Sequence, residues 1–133
     1  MGDELRIAIE HEGDIVVARQ KGRELAATCG FSTTEQTLIA TAISEIARNI
    51  VLYAKRGEVR LEAIAQGGRC GIRVIAHDDG PGIADVELAM RDGFSTANSL
   101  GLGLPGAKRL MDEFDLASAL GRGTTVTMIK WAR

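Results

Sequence analysis

From Leu5 to Ile9 apolar and polar residues alternate, with Leu5, Ile7 and Ile9 on one side and Arg6 and Ala8 on the other. This is the two-residue period of a half-buried strand. After Gly13-Asp14 the period lengthens. Ile15, Ala18, Gly22, Leu25, Ala26 and Cys29 fall on one stripe of a helix, with Asp14 as its expected N-cap and Gly30 as its C-cap. Ser32-Thr-Thr-Glu35 is a capping box that opens a second, longer helix reaching about Ala54. Its stripe is Ile39, Ile43, Ile46, Ala47 and Ile50, and Lys55-Arg56-Gly57 closes it with the positive charge a helix C-terminus favours. Alternation returns at Val59, Leu61, Ala63 and Ala65. Gln66-Gly67-Gly68 marks a hairpin turn, and Ile72, Val74 and Ala76 form the returning strand. Residues 85–91 fit a short helix or turn, and residues 92–100 a polar loop. Residues 104–113 fit a helix with Pro105 in its first turn, where the missing N–H removes no helix bond. Strands over 116–120 and 124–131 are joined by Gly121-Arg-Gly123. Clustered helices among hairpin strands predict a two-layer α/β sandwich, with helices on one face of a mixed sheet.

Composition narrows the function classes. A chain of 133 residues, 45% hydrophobic and 26% charged, predicts one globular domain spanning 1–133. The pattern shows no apolar run expected to cross a bilayer and no basic start with an apolar core behind it, so the expected location is the cytoplasm, away from membranes. A net charge of −2 with mixed signs, and only 4% aromatic residues, argue against a nucleic-acid surface. Cys29 and Cys70 lack metal-ligand spacing and are expected as reduced, half-buried thiols.

Candidate chemistry begins on the long helix. Glu45 and Asn49 are four apart and stand one turn above the other, on a face other than the apolar stripe. A carboxamide oxygen can ligate a hard cation such as Mg²⁺, and a carboxylate can orient or deprotonate a hydroxyl. A solvated helix face would carry the same two residues. Asp78 ends the apolar row Ile72, Val74, Ala76 on the core side, a costly place for a carboxylate without hydrogen bonds. Asp79-Gly80-Pro81-Gly82 follows, either a simple turn or a close-approach loop. Gly101-Leu-Gly103-Leu-Pro105-Gly106 leads glycines into a helix N-terminus, where free N–H groups favour anions. Gly121-Arg-Gly123-Thr124 is a hairpin turn or a further part of the same site.

In this order and spacing the four stretches resemble the GHKL (Bergerat-fold) ATP-binding domains, over almost the whole chain. The resemblance implies ATP and Mg²⁺ as cofactors. Asn49 would coordinate Mg²⁺, Glu45 would act on the attacking hydroxyl, and Asp78 would accept from the adenine amine. Gly80 and Gly82 would admit the base, Gly101 and Gly103 would cradle phosphates, and Thr124 would lie near the adenine. Lys108 would be a surface lysine or a phosphate neighbour. Further stretches are similar to the RsbT-type switch serine/threonine kinases of bacterial stress-response partner-switching modules. They are residues 14–20, Thr41-Ala-Ile-Ser-Glu-Ile-Ala-Arg-Asn49, Asp92-Gly-Phe-Ser-Thr96, Gly103-Leu-Pro-Gly106, residues 108–114 and Ile129-Lys-Trp131. That likeness implies phosphorylation of a serine or threonine on STAS-domain antagonist and scaffold proteins. It also implies binding and activation of a PP2C-type phosphatase through its regulatory domain.

One departure stands out. Related anti-sigma kinases carry an arginine just before the glycine lid, where this chain has Asn98-Ser99-Leu100. A cation for the transferring phosphoryl group would then come from Arg48, Lys108 or another basic residue. His11 and His77 are expected to be structural, and no phosphoacceptor-histidine domain is seen. Two other functions compete with the kinase: an anti-sigma factor with serine kinase activity, and a nucleotide-responsive binding module with little catalysis.

Overall fold

A computed structural model describes residues 4–82 and 103–132. The elements are β1 Leu5–Ile9, α1 Glu12–Thr28, α2 Thr33–Asn49, a π-helical turn Ile50–Ala54, β2 Gly57–Gln66, β3 Arg69–Asp78, α3 Gly103–Leu110, β4 Glu113–Ser118 and β5 Thr124–Trp131. Residues 85–91 and 92–100, read from sequence as a short helix or turn and a polar loop, lie outside the described residues, as do Gly101 and Asn98-Ser99-Leu100.

The strands order as β1-β2-β3-β5-β4, and each neighbouring pair runs antiparallel. The described sheet is therefore antiparallel, not the mixed sheet expected. The helices sit between hairpins, and none links two adjacent parallel strands, so no parallel pair is needed. The helix layer covers one sheet face. Ile39, Ile43 and Ile46 of α2 are buried against Val59, Leu61, Ile72, Val74 and Met128. Gly22 lets α1 lie close on α2, since a Cβ there would stand 2.2 Å from the Ile43 Cδ1 atom.

Helix ends follow local chemistry, with adjustments. Helix α1 starts three residues earlier than expected, so Asp14 sits inside the first turn rather than at the N-cap. From there its carboxylate accepts the backbone N–H groups of Glu10 at 2.9 Å and His11 at 3.0 Å. The C-terminus of α1 is a Schellman motif: Phe31 N–H donates to Ala26 O and Gly30 N–H to Ala27 O, each at 3.1 Å, with Gly30 at φ 87°. The capping box of α2 forms as read: Ser32 Oγ accepts the Glu35 N–H and Glu35 Oε1 accepts the Ser32 N–H. The two-glycine turn after Gln66 has Gly67 at φ 58° and Gly68 at φ 79°, which suits a tight hairpin.

Three further expectations change. Helix α3 stops at Leu110 and Glu113 already belongs to β4, which ends at Ser118 rather than reaching residue 120. Lys130, buried in β5, donates through Nζ to the Leu110 carbonyl at 2.9 Å and so ties off the helix end. Cys29 and Cys70 are joined in a disulfide with their Cα atoms 5.9 Å apart, not two thiols. They are 41 residues apart in sequence, and only the docking of the α1–α2 turn on the start of β3 brings them together. The continuous helix Thr33–Ala54, at mean hydropathy 1.2 over 18 residues, has the length and composition of a membrane span. Half of that window is buried inside the protein, as for the core helix of a globular layer.

Candidate active site

Glu45, on the C-terminal half of α2, is only 7% exposed, so it does not stand on the wet face its spacing suggested. Helix α3 packs over it. Glu45 Oε1 accepts the backbone N–H of Gly103 at 2.9 Å, and Oε2 accepts from Arg48 Nη1 at 3.2 Å. Both oxygens are thus satisfied, which is what permits burial of the charge. Gly103 is the first residue of α3, with φ 67°, a conformation few side chains adopt. Its N–H is one of the helix-start donors that have no partner within a helix.

One turn on, Asn49 is half-buried, and its carboxamide makes no hydrogen bond among the described residues. The helix then widens into the π turn Ile50–Ala54 and ends at Lys55, a non-glycine residue at φ 74° whose N–H donates to Ile50 O at 2.7 Å. π turns interrupt α-helices mostly where a site demands it.

Asp78 closes β3 on the helix side, as its row predicted, and is 9% exposed. Its Oδ1 accepts the Gly80 N–H at 2.8 Å, and its Oδ2 has no partner among the described residues. Glycine surrounds it. Gly57 is its register partner on β2, and a Cβ there would stand 3.0 Å from both Asp78 Cβ and Ile50 Cγ2. Thr124 is its partner on β5, and the Thr124 hydroxyl pairs with Ser118 Oγ at 2.8 Å. A Cβ on Gly123, at φ 78°, would stand 2.1 Å from the Asp78 carbonyl oxygen. Gly80 lies against Ala54, and Gly82, at φ 78°, against the Ala119 carbonyl. Gly121 N–H donates to Pro81 O at 2.7 Å.

The fold therefore brings Glu45, Asn49, Asp78, Gly80, Gly82, Gly103 and Thr124 to one end of the molecule. Sequence reasoning missed Gly57 as part of the site and the Glu45–Gly103 bond. A glycine opening a strand opposite Asp78 was the available signal for the first. Lys108 is exposed on α3. His77 bonds Thr125 Oγ1 at 2.8 Å and Asp79 at 3.2 Å on the other sheet face. A cleft there, lined by Glu10, Arg56, Glu58, Arg60, His77 and Asp79, holds none of Glu45, Asn49 and Asp78.

The arrangement fits a nucleotide. A half-satisfied buried carboxylate can take an exocyclic amine, and the glycines around it let neighbouring backbone pack closely about that strand end. It fits Mg²⁺ as well, because the Asn49 carboxamide oxygen, without a partner among the described residues, suits an ion that keeps waters and takes phosphate oxygens. Among the described residues no cluster of three or more His, Cys, Asp or Glu would compete for it.

Comparison with known proteins agrees with this geometry. The histidine kinase-like ATPase domain family matches residues 10–130. The chain is 53% identical to the serine/threonine-protein kinase RsbT of Bacillus subtilis (strain 168), over 133 residues and the whole of both chains. It is 35% identical over 99 residues to the anti-sigma F factor of Thermoanaerobacter sp. (strain X514), covering 70% of this chain and 68% of that protein. The solved RsbU and RsbW domains of a Mycobacterium tuberculosis protein share the fold, with a TM-score of 0.67 at 23% identity over 99% of this chain and 33% of that one. The chain belongs to the histidine kinase-like ATPase family, and within it to the ATP-using serine/threonine-protein kinases of the RsbT type.

Proposed function

We propose that this kinase transfers phosphate from ATP to a serine or threonine of a STAS-domain antagonist or scaffold protein in the cytoplasm. Once released, it binds and activates a PP2C-type phosphatase through that enzyme's regulatory domain. Asp78 accepts from the adenine amine through Oδ2, with Thr124 beside it. Gly80 and Gly82 let the backbone approach the base. Gly101 and Gly103 cradle the phosphates, Gly103 with its own N–H held by Glu45 Oε1, and Asn49 holds Mg²⁺. When bound, that ion neutralises phosphate charge and orients the terminal group. Glu45 takes the proton of the attacking hydroxyl, and Arg48, bonded to it, holds the carboxylate in place.

The observation that carries this reading is the buried, ionically paired Glu45 one turn from Asn49, whose carboxamide has no partner among the described residues. A nucleotide sensor without catalysis has no use for a base beside its metal ligand. Incubation with labelled ATP and the STAS proteins tests it, and label on a serine or threonine is the expected result. Label that never leaves ATP would reduce the protein to a binding module. Its partners are then expected to exclude one another. Titrating the phosphatase regulatory domain into the kinase–antagonist complex should displace the antagonist, whereas a stable ternary complex refutes the exchange. The likeness to anti-sigma F factors supports a second reading, an anti-sigma factor with serine kinase activity. Tight binding of an RNA polymerase sigma factor in the same titration would favour it.

A further inference from the structure

The disulfide lies far from the site, yet it joins the turn that leads into one of the elements that build it to the start of the other. Cys29 is the C-cap residue of α1, in the turn that leads into α2, and Cys70 is the second residue of β3. From there α2 runs about 24 Å to Asn49, and β3 runs about 26 Å to Asp78. The bond therefore clasps one end of the α2–β3 pair, and Asn49 and Asp78 stand at the other.

We propose that Cys29 and Cys70 form a reversible thiol–disulfide site that sets the stability of the kinase fold while leaving its nucleotide site unchanged. Three observations support this. The Cα separation of 5.9 Å lies within the range a disulfide bridges without moving the backbone. Both residues are half-buried rather than enclosed, so a small thiol or disulfide can reach them. The same end is also held without the bond: Phe31 is buried, Gln36 Nε2 donates to its carbonyl at 2.9 Å, and Ala132 N–H donates to Cys70 O at 2.8 Å. The reduced chain thus keeps the native end. Closing a loop with 41 residues of separation acts mainly by restricting the unfolded chain.

The chemistry is exchange with a small-molecule disulfide such as oxidised glutathione. The thiolate of one cysteine attacks it, forming a mixed disulfide and releasing one glutathione thiolate, which takes up a proton. The second cysteine thiolate attacks the protein-bound sulfur, closes the Cys29–Cys70 bond and releases the second glutathione. Two protein thiols are oxidised and one glutathione disulfide is reduced, so electrons and protons balance. In thiol-rich surroundings the bond opens, and under oxidant it closes.

The full chain is equilibrated in glutathione buffers of varied ratio, trapped with an alkylating agent and weighed. In parallel, melting temperature and ATP affinity are measured. We expect both thiols to be alkylated at the reducing end and neither at the oxidising end, with no glutathione left attached. The oxidised form should melt higher by roughly 10 °C. ATP affinity should agree between forms within about twofold, as for groups this far apart. Cys29→Ser and Cys70→Ser should each melt with the reduced wild type in both buffers. Thiols that stay reactive at every ratio overturn the proposal, as do equal melting temperatures in the two forms. A fall in ATP affinity on reduction, at whatever melting temperature, overturns the separation of the bond from the site.

Discussion

Where α2 and β3 begin, backbone groups are matched within the chain. Ser32 and Glu35 cap each other, the Schellman bonds finish α1, and the Cys29–Cys70 bond ties the α1–α2 turn to β3. Where the same elements finish, a π turn replaces α-helix and Lys55 takes a positive φ. Asn49 and one oxygen of Asp78 find no partner among the described residues, and glycines let backbone segments crowd together where a Cβ would clash. The first end satisfies these groups within the chain. The second holds backbone conformations and polar groups that cost free energy until a ligand engages them. One helix and one strand thus carry both, with the stable end supporting the end prepared for chemistry.

The largest test of this contrast removes the base at the prepared end. Because Glu45 is buried, Glu45→Gln is cleaner than Glu45→Ala, since it keeps an oxygen to accept the Gly103 N–H. Single-turnover transfer should slow by about a hundredfold to ten-thousandfold while ATP still binds. A wild-type rate would make Glu45 a purely structural link between α2 and α3. Next in size, Asp78→Asn puts a donor where the adenine amine needs an acceptor. Calorimetry should show ATP affinity reduced about tenfold to a hundredfold, and unchanged affinity would remove Asp78 from the base pocket.

Changes at the stable end should leave nucleotide binding alone and lower stability. Ser32→Ala removes the acceptor for the Glu35 N–H, with an expected loss of about 1 kcal/mol in denaturant unfolding. A shift in ATP affinity instead would show that the two ends are not independent. The smallest effect concerns Asp14. The N–H groups of Glu10, first, and His11 hold its carboxyl below the ordinary carboxylate range. A lowered folded-state pKa means the contribution to stability is present above the unfolded value and is lost as pH falls through the folded one. Melting curves of wild type and Asp14→Asn should therefore differ near neutral pH and converge as pH drops below about 4. A gap that stays constant with pH would assign the effect to helix propensity.

Much of this architecture was legible in the chain. The stripe Ile39, Ile43, Ile46 and Ile50 is buried throughout, as its 3.6-residue period requires, and the row Ile72, Val74, Ala76 by itself puts Asp78 on the core side. The Ser32 box and the two-glycine turn are local chemistry, so they form wherever the chain goes. Strand direction was harder. Hydrophobic alternation is blind to polarity, and the antiparallel order emerged only from pairing. The boundary between α3 and β4 was also hidden, because the residues around 111–113 suit either state, and buried Lys130 decided between them by holding the Leu110 carbonyl.

By itself, then, the sequence determined the periods, the caps and turns, and the residue types that can bind a nucleotide. These depend on neighbours within a few positions, where covalent geometry limits the choices. Tertiary structure alone decided the burial of Glu45 under α3, the Cys29–Cys70 bond and the ring of Gly57, Gly80 and Gly123 around Asp78. Each joins parts of the chain remote from one another, and their distance is set by how layers pack, which no local pattern encodes.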